Sequence, residues 1–154
     1  MPYFTDMRLV FQSPPGVCEA YDWLISDLKC SWLPWMTNES AKVDERFLTR
    51  ALLLDGKELL RILSSNEIQF RWAVFSALGA GSKPAMIDLP FADGNPNFWR
   101  GSPAPQLNGA NFEIVCWDSS RVLMIGVGED VAAEFKAFFA ETVDLDEYNR
   151  SSAQ

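Results

Sequence analysis

The apolar pattern is densest from Ile68 to Gly79, IQFRWAVFSALG, where Phe70, Trp72, Val74 and Leu78 fall on one alternation and Ala73, Phe75 and Ala77 on the other. With both alternations apolar, the segment reads as a central strand covered on two sides. A second organised stretch spans residues 113–139. NFEIVCW and RVLMIGV flank Asp118-Ser119-Ser120, which predicts an antiparallel hairpin. EDVAAEFKAFF follows, and its spacing predicts an amphipathic helix with Val131, Phe135 and Phe138 inward.

The remaining elements follow from shorter signals. MRLVFQ, residues 7–12, reads as a first strand. In SPPGVCEAYDWLISDLK, residues 13–29, Ser13 is placed to cap a helix that Pro14 opens, with Val17, Tyr21, Leu24 and Leu28 along one face. CSWLPWMTNESAKV is irregular. Residues 46–54, RFLTRALLL, could be strand or helix by period, and lean to strand because Asp55-Gly56-Lys57-Glu58 resembles a capping box. The helix that box starts, GKELLRILSS, buries Leu59, Leu60, Ile62 and Leu63. Residues 79–111 hold five of the nine glycines and five of the nine prolines, with one short strand expected at residues 85–89. A segment of that length suits a functional or mobile element. VDLDEYN reads as an irregular acidic cap that tucks Leu145 and Tyr148 against the body, with residues 151–154 as a frayed tail. The sum is one α+β domain over residues 1–150, a mainly antiparallel sheet of four to five strands with two to three helices packed on it.

Charge narrows the partners. The formal net charge is −8, and it is uneven: ten acids and eight bases up to residue 78, eleven acids and five bases after it. Such a chain repels nucleic acid and anionic membrane and favours a basic protein, although acidity also serves solubility alone. With no histidine, Ser-His-Asp and Cys-His catalysis are excluded. Cys18, Cys30 and Cys116 are far apart, which fits neither a zinc site nor a disulfide framework and reads as free thiols in a reducing compartment. The opening MPYFTDMRLVFQ contains Asp6 and Arg8 and no long apolar run, so it reads as neither signal peptide nor anchor, and a cytoplasmic protein is expected.

Three loops invite a chemical reading and fall short of it. Gly126-Val127-Gly128 before a helix imitates the start of a dinucleotide site, but Val131 holds the third glycine position and Glu129 and Asp130 stand where phosphate would sit. The two acids complement the helix dipole instead. In GAGSKP, Ser82 precedes Lys83 where a phosphate loop has glycine, and Pro84 follows where it has Ser or Thr. DGNPN begins like a calcium loop, but Phe98 and Ala104 occupy its glycine and glutamate positions, leaving a turn. The paired acids Asp44-Glu45, Glu129-Asp130 and Asp144 with Asp146-Glu147 read as a solvated face, since glycoside chemistry needs two carboxylates converging in a cleft. No catalytic, cofactor or metal residue is therefore assigned.

Six tryptophans remain to be placed. Trp23 and Trp72 lie in regular elements and are expected in the core. Trp32, Trp35, Trp99 and Trp117 lie in or beside irregular segments, where they either plug loops onto the core or anchor a partner. LLLDGKELLRILSSNEIQFRWAVFSA, CWDSSRVLMIGVGEDVAAEFKAFF and VDLDEYN together resemble small acidic bacterial proteins, including proposed immunity proteins of polymorphic toxin systems. That resemblance implies a stoichiometric inhibitor that binds a basic toxin domain and does no chemistry. The expected contact residues, drawn from the loop tryptophans and nearby acids, are Trp32, Trp35, Trp99, Trp117, Asp118, Glu129 and Asp130. A small-ligand binder or carboxylate-dependent enzyme with residues 79–111 as a lid is the alternative, and a homo-oligomeric housekeeping domain is a third reading.

Overall fold

The computed structural model describes residues 6–13, 16–30 and 51–152. Five strands, β1 (Asp22–Cys30), β2 (Leu52–Asp55), β3 (Phe70–Leu78), β4 (Phe112–Trp117) and β5 (Arg121–Ile125), form one sheet in the order β2-β1-β3-β4-β5. Every neighbouring pair is antiparallel. Four helices accompany it among the described residues: α1 (Met7–Gln12), α2 (Gly56–Ser65), α3 (Glu129–Phe138) and α4 (Leu145–Ser152). The chain is a single α+β domain, and none of these helices is long and apolar enough to cross a membrane.

Both faces of the sheet are covered, and this decides the strands. On one face Trp23, Ile25, Ala73, Phe75, Ala77, Phe112 and Ile114 pack beneath Met7, Phe11, Leu59, Leu63 and Phe135. On the other, Val74, Val115, Leu123 and Ile125 pack with Phe98 and Ala92, beside a smaller cluster of Leu24, Leu78 and Leu107. A strand covered twice shows no polar alternation, so DWLISDLKC is β1 although its Leu24 and Leu28 keep helical spacing. The helix expected over residues 13–29 shrinks to a 3-10 turn at Cys18–Ala20. The register slips between Ser26 and Lys29, where Asp27 adopts a left-handed φ of 49°, and Leu28 thereby joins the face of Trp23 and Ile25. A further slip between Lys29 and Cys30 opposes Cys30 to Phe70, which packs with Phe75 rather than with Trp72 and Val74.

Residues 7–12 form a helix instead of a strand. Asp6 caps it, its Oδ1 accepting the Arg8 N–H at 3.1 Å, and Met7, Val10 and Phe11 are buried at three-to-four spacing. The expected cap of α2 is present: Asp55 Oδ1 accepts the Glu58 N–H at 2.8 Å, while Glu58 turns to Arg61 rather than back to the cap. Gly56 is required by contact, because a Cβ there would lie 1.9 Å from the Cys18 carbonyl oxygen. In α3, Phe135 is buried but Phe138 is 54% exposed. Phe139, four residues past Phe135, takes the inner place and stacks on it at 6.4 Å. Residues 46–50 lie outside the described residues, and β2 begins at Leu52.

Within residues 79–111, the part from residue 89 to 110 supplies the second layer of the core, and residues 79–88 are largely exposed. No strand forms at 85–89, where Met86 and Ile87 are exposed; the regular piece is a 3-10 turn at Pro96–Trp99. Polar groups pin this layer to the sheet. Asp27 Oδ2 accepts the N–H groups of Ala92 and Asp93, both at 2.9 Å, and Lys29 pairs with Asp93. Gln106 bonds the backbone of Phe91 in both directions, at 3.1 and 3.0 Å. Glu113 of β4, fully buried, accepts from Ser76 Oγ at 2.6 Å, from the Gln106 N–H at 2.6 Å and from the Leu107 N–H at 3.2 Å. α4 closes the layer as a helix, not an irregular cap: Asp144 accepts the Glu147 N–H, and buried Asn149 donates to the carbonyls of Phe98 and Gly101. The helix continues through Ser151 and Ser152, with Ser151 Oγ donating to the Glu147 carbonyl.

Replacing Glu113 by Ala removes three acceptor contacts and leaves two backbone N–H groups without partners in the core. The expected loss is about 3 kcal/mol or more by urea titration, against ~1 kcal/mol for Ser76→Ala. Hydrogen exchange should quicken first at Gln106 and Leu107; unchanged exchange there would show that the pin is dispensable.

Candidate functional site

The β4–β5 hairpin organises the candidate site. Its turn places Asp118 and Ser119 at left-handed φ values of 47° and 60°, and the Ser120 N–H donates to the Trp117 carbonyl at 3.0 Å. Positive φ at both central positions is what primed hairpin turns demand, and here it falls on residues with a Cβ. A bond from the Ser119 N–H to the Arg71 carbonyl at 3.0 Å ties the tip to β3. Asp118 also faces Arg71 at 3.7 Å, an exposed pair of small energetic weight.

The hairpin delivers Trp117 and Arg121 to opposing positions at the start of the ladder. Trp117 then meets three rings edge-on: Trp72 at 4.9 Å, Trp99 at 5.2 Å and Phe98 at 5.9 Å. Tyr148 of α4 adds a fourth element, 5.9 Å from Trp99. The Arg121 guanidinium lies over both outer rings, 5.4 Å from Trp99 and 5.9 Å from Tyr148. Trp99, Trp117, Ser120, Arg121, Tyr148 and Ser152 line an open depression of about 440 Å³. Hydrogen bonding to Arg121, with its positive charge, lowers the Tyr148 phenol below the usual tyrosine range.

The expected contact residues are not one cluster. Trp99 and Trp117 pack together, with Asp118 on the adjoining turn. Glu129 and Asp130 sit beyond the far end of β5 in the exposed first turn of α3, one five-residue strand (about 17 Å) from the hairpin tip. Trp32 and Trp35 lie outside the described residues, as do Asp44 and Glu45. Trp23 and Trp72 are core residues, with Trp23 Nε1 donating to the Cys18 carbonyl at 2.9 Å. Arg121 was not anticipated. Its position opposite Trp117, across a three-residue turn, is the signal that could have marked it.

The loops with chemical resemblances serve the fold. Gly126 takes a φ of 78°, and a Cβ there would run into Pro105 at 2.8 Å, so glycine is required by the wall it passes. Gly128 caps α3 with its carbonyl, which accepts the Ala132 N–H at 2.9 Å. The Gly81 N–H donates to Asp22, and Asn95 Oδ1 caps the 3-10 turn. Among the described residues no three His, Cys, Asp or Glu side chains gather to hold a metal. Burial pushes the Cys18 thiol up to about 12, helped by Glu19, and raises Cys116 strongly as well. Both thiols are protonated at neutral pH and unsuited to nucleophilic roles. No family model matches the chain, and no curated protein and no solved structure is similar to it.

Two measurements check this corner. Arg121→Ala should return the Tyr148 phenol upward to the ordinary range in an absorbance titration, with Tyr148→Phe identifying its signal; an unmoved transition would break the assigned pairing. Ser119→Gly should stabilise the fold by ~0.5–1 kcal/mol in thermal unfolding, because glycine adopts the left-handed position without steric cost.

Proposed function

We propose that this chain is a cytoplasmic, non-enzymatic protein-binding module that holds a basic protein against its C-terminal surface. The observation that carries the reading is the composition of the C-terminal stretch from α3 through α4. From Gly126 to Asn149 there are seven acids and one lysine, and all seven acids but Asp146 are exposed. Phe138, Val143 and Tyr148, exposed by 54%, 70% and 41%, are interleaved with them. Exposed aromatic and aliphatic side chains among like charges suit an interface in which charge steers encounter and rings supply the anchors. The resemblance to small acidic bacterial proteins gives this function a particular form, an immunity protein that blocks a basic toxin. The bonds of Asp27, Gln106 and Glu113 hold residues 91–93 and 106–107 to the sheet, which favours this reading over one in which residues 79–111 act as a lid over a ligand.

The test uses the product of the adjacent gene. Titration calorimetry should give nanomolar binding that weakens with salt. Glu129→Lys combined with Asp130→Lys should weaken it at least about tenfold, mostly through slower association. Cells expressing that neighbour should survive only when this chain is present. Equal death with and without it sinks the immunity reading.

A further inference from the structure

β5 is the outermost strand of the sheet, and the chain leaves a groove beside it. α3 packs on one face through Phe135, and α4 packs on the other through Leu145 and Asn149. In the connection between them, Phe139 and residues 141–144 lie beside the groove that β5 lines. Between that connection, the two helices and the strand lies a groove of about 1050 Å³. Every residue from Ser120 to Val127 lines it. A strand seen face-on presents alternate residues; an unbroken run of lining residues means that its edge faces the groove.

No further strand extends the sheet beyond that edge among the described residues. Among the described residues β4 is the sole sheet partner of β5, and no backbone bond from another segment reaches its outer side. Sheet edges are ordinarily blunted by proline, lysine or a bulge, whereas Val122–Ile125 is continuously apolar and regularly paired. The groove's charged lining is acidic on balance: Glu129, Glu141, Asp144 and Asp146 against Arg121 and Lys136. Its Trp99 and Tyr148 end already holds a guanidinium, that of Arg121. A second copy of this chain suits the edge poorly, because pairing β5 with β5 would bring two acidic rims together in a molecule of net charge −8.

We propose that β5 receives an extended segment of a basic polypeptide as a sixth strand, paired backbone to backbone, with lysine or arginine side chains on the rim acids. This rests on the protein-binding reading above and specifies its mode of contact. The probes are three labelled ten-residue peptides alternating lysine with valine: one unmodified, one N-methylated at every lysine, one N-methylated at every valine. Alternate N–H groups of a strand point to opposite edges, so each methylated peptide has one edge blocked. In anisotropy titrations the unmodified peptide should bind, one methylated peptide should bind about as well, and the other should lose at least about tenfold. Amide exchange at Val122–Ile125 should slow in the complex. Equal affinity for all three peptides would mean charge attraction alone, overturning strand addition while leaving the protein-binding reading intact. No binding of the unmodified peptide, under buffer conditions in which the adjacent gene's product still binds, would also overturn strand addition alone. Loss of both would remove the reading beneath it. A dimer in sedimentation that Met124→Lys disperses would assign the edge to a second copy.

Discussion

The buried carboxyl of Glu113 sits where a regular sheet meets an irregular layer, and the rest of the molecule depends on that junction. A sheet with both faces apolar needs a second cover, and here the cover is a stretch of chain with little secondary structure of its own. Irregular backbone brings N–H groups into the core without ladder partners. Glu113 accepts two of them and a serine hydroxyl, and Asp27 accepts two more at the neighbouring edge of the layer. Two side-chain carboxyls thus do for Ala92, Asp93, Gln106 and Leu107 what a neighbouring strand would otherwise do.

The aromatic corner follows from the same arrangement. With the layer in place, Phe98 and Trp99 arrive above the end of β4, and Asn149 ties α4 to the carbonyls of Phe98 and Gly101. Trp117 is then enclosed on three sides by rings, and Arg121 covers the fourth element through Trp99 and Tyr148. The groove along β5 depends on the same double cover, because α3 packs on one face, α4 on the other, and the residues between them line the groove with the last strand.

Where the sequence was legible, the signal was local. β3 announced itself because both of its alternations are apolar, the hairpin because Asp118-Ser119-Ser120 separates two apolar runs, and α2 because Asp55 and Glu58 mark its first turn. β1 and α1 read the wrong way round for one reason. Consecutive buried residues in a doubly covered strand imitate helical spacing, and a six-residue helix is too short for its period to outweigh strand-like composition. The hold of residues 79–111 could not be read at all, since it joins Asp27 to Ala92 and Glu113 to Gln106 without any periodic pattern. In the site, Trp99 and Trp117 stood out as loop tryptophans, but the closeness of Trp99 to Tyr148 depends on Asn149 tying α4 to the carbonyls of Phe98 and Gly101. Glu129 and Asp130 were correctly read as helix-dipole partners, yet the length of β5 separates them from the rings they were grouped with.

α3 contributes a single fully buried side chain, Phe135, to the core. Val131 packs partly against the same cluster, while substitutions at the exposed positions usually change stability by no more than about 0.5 kcal/mol. The helix that carries three of the seven C-terminal acids is therefore free to vary on its outer side. A lineage of such proteins could exchange one recognition surface for another here, one residue at a time, while the doubly covered sheet stayed as it is.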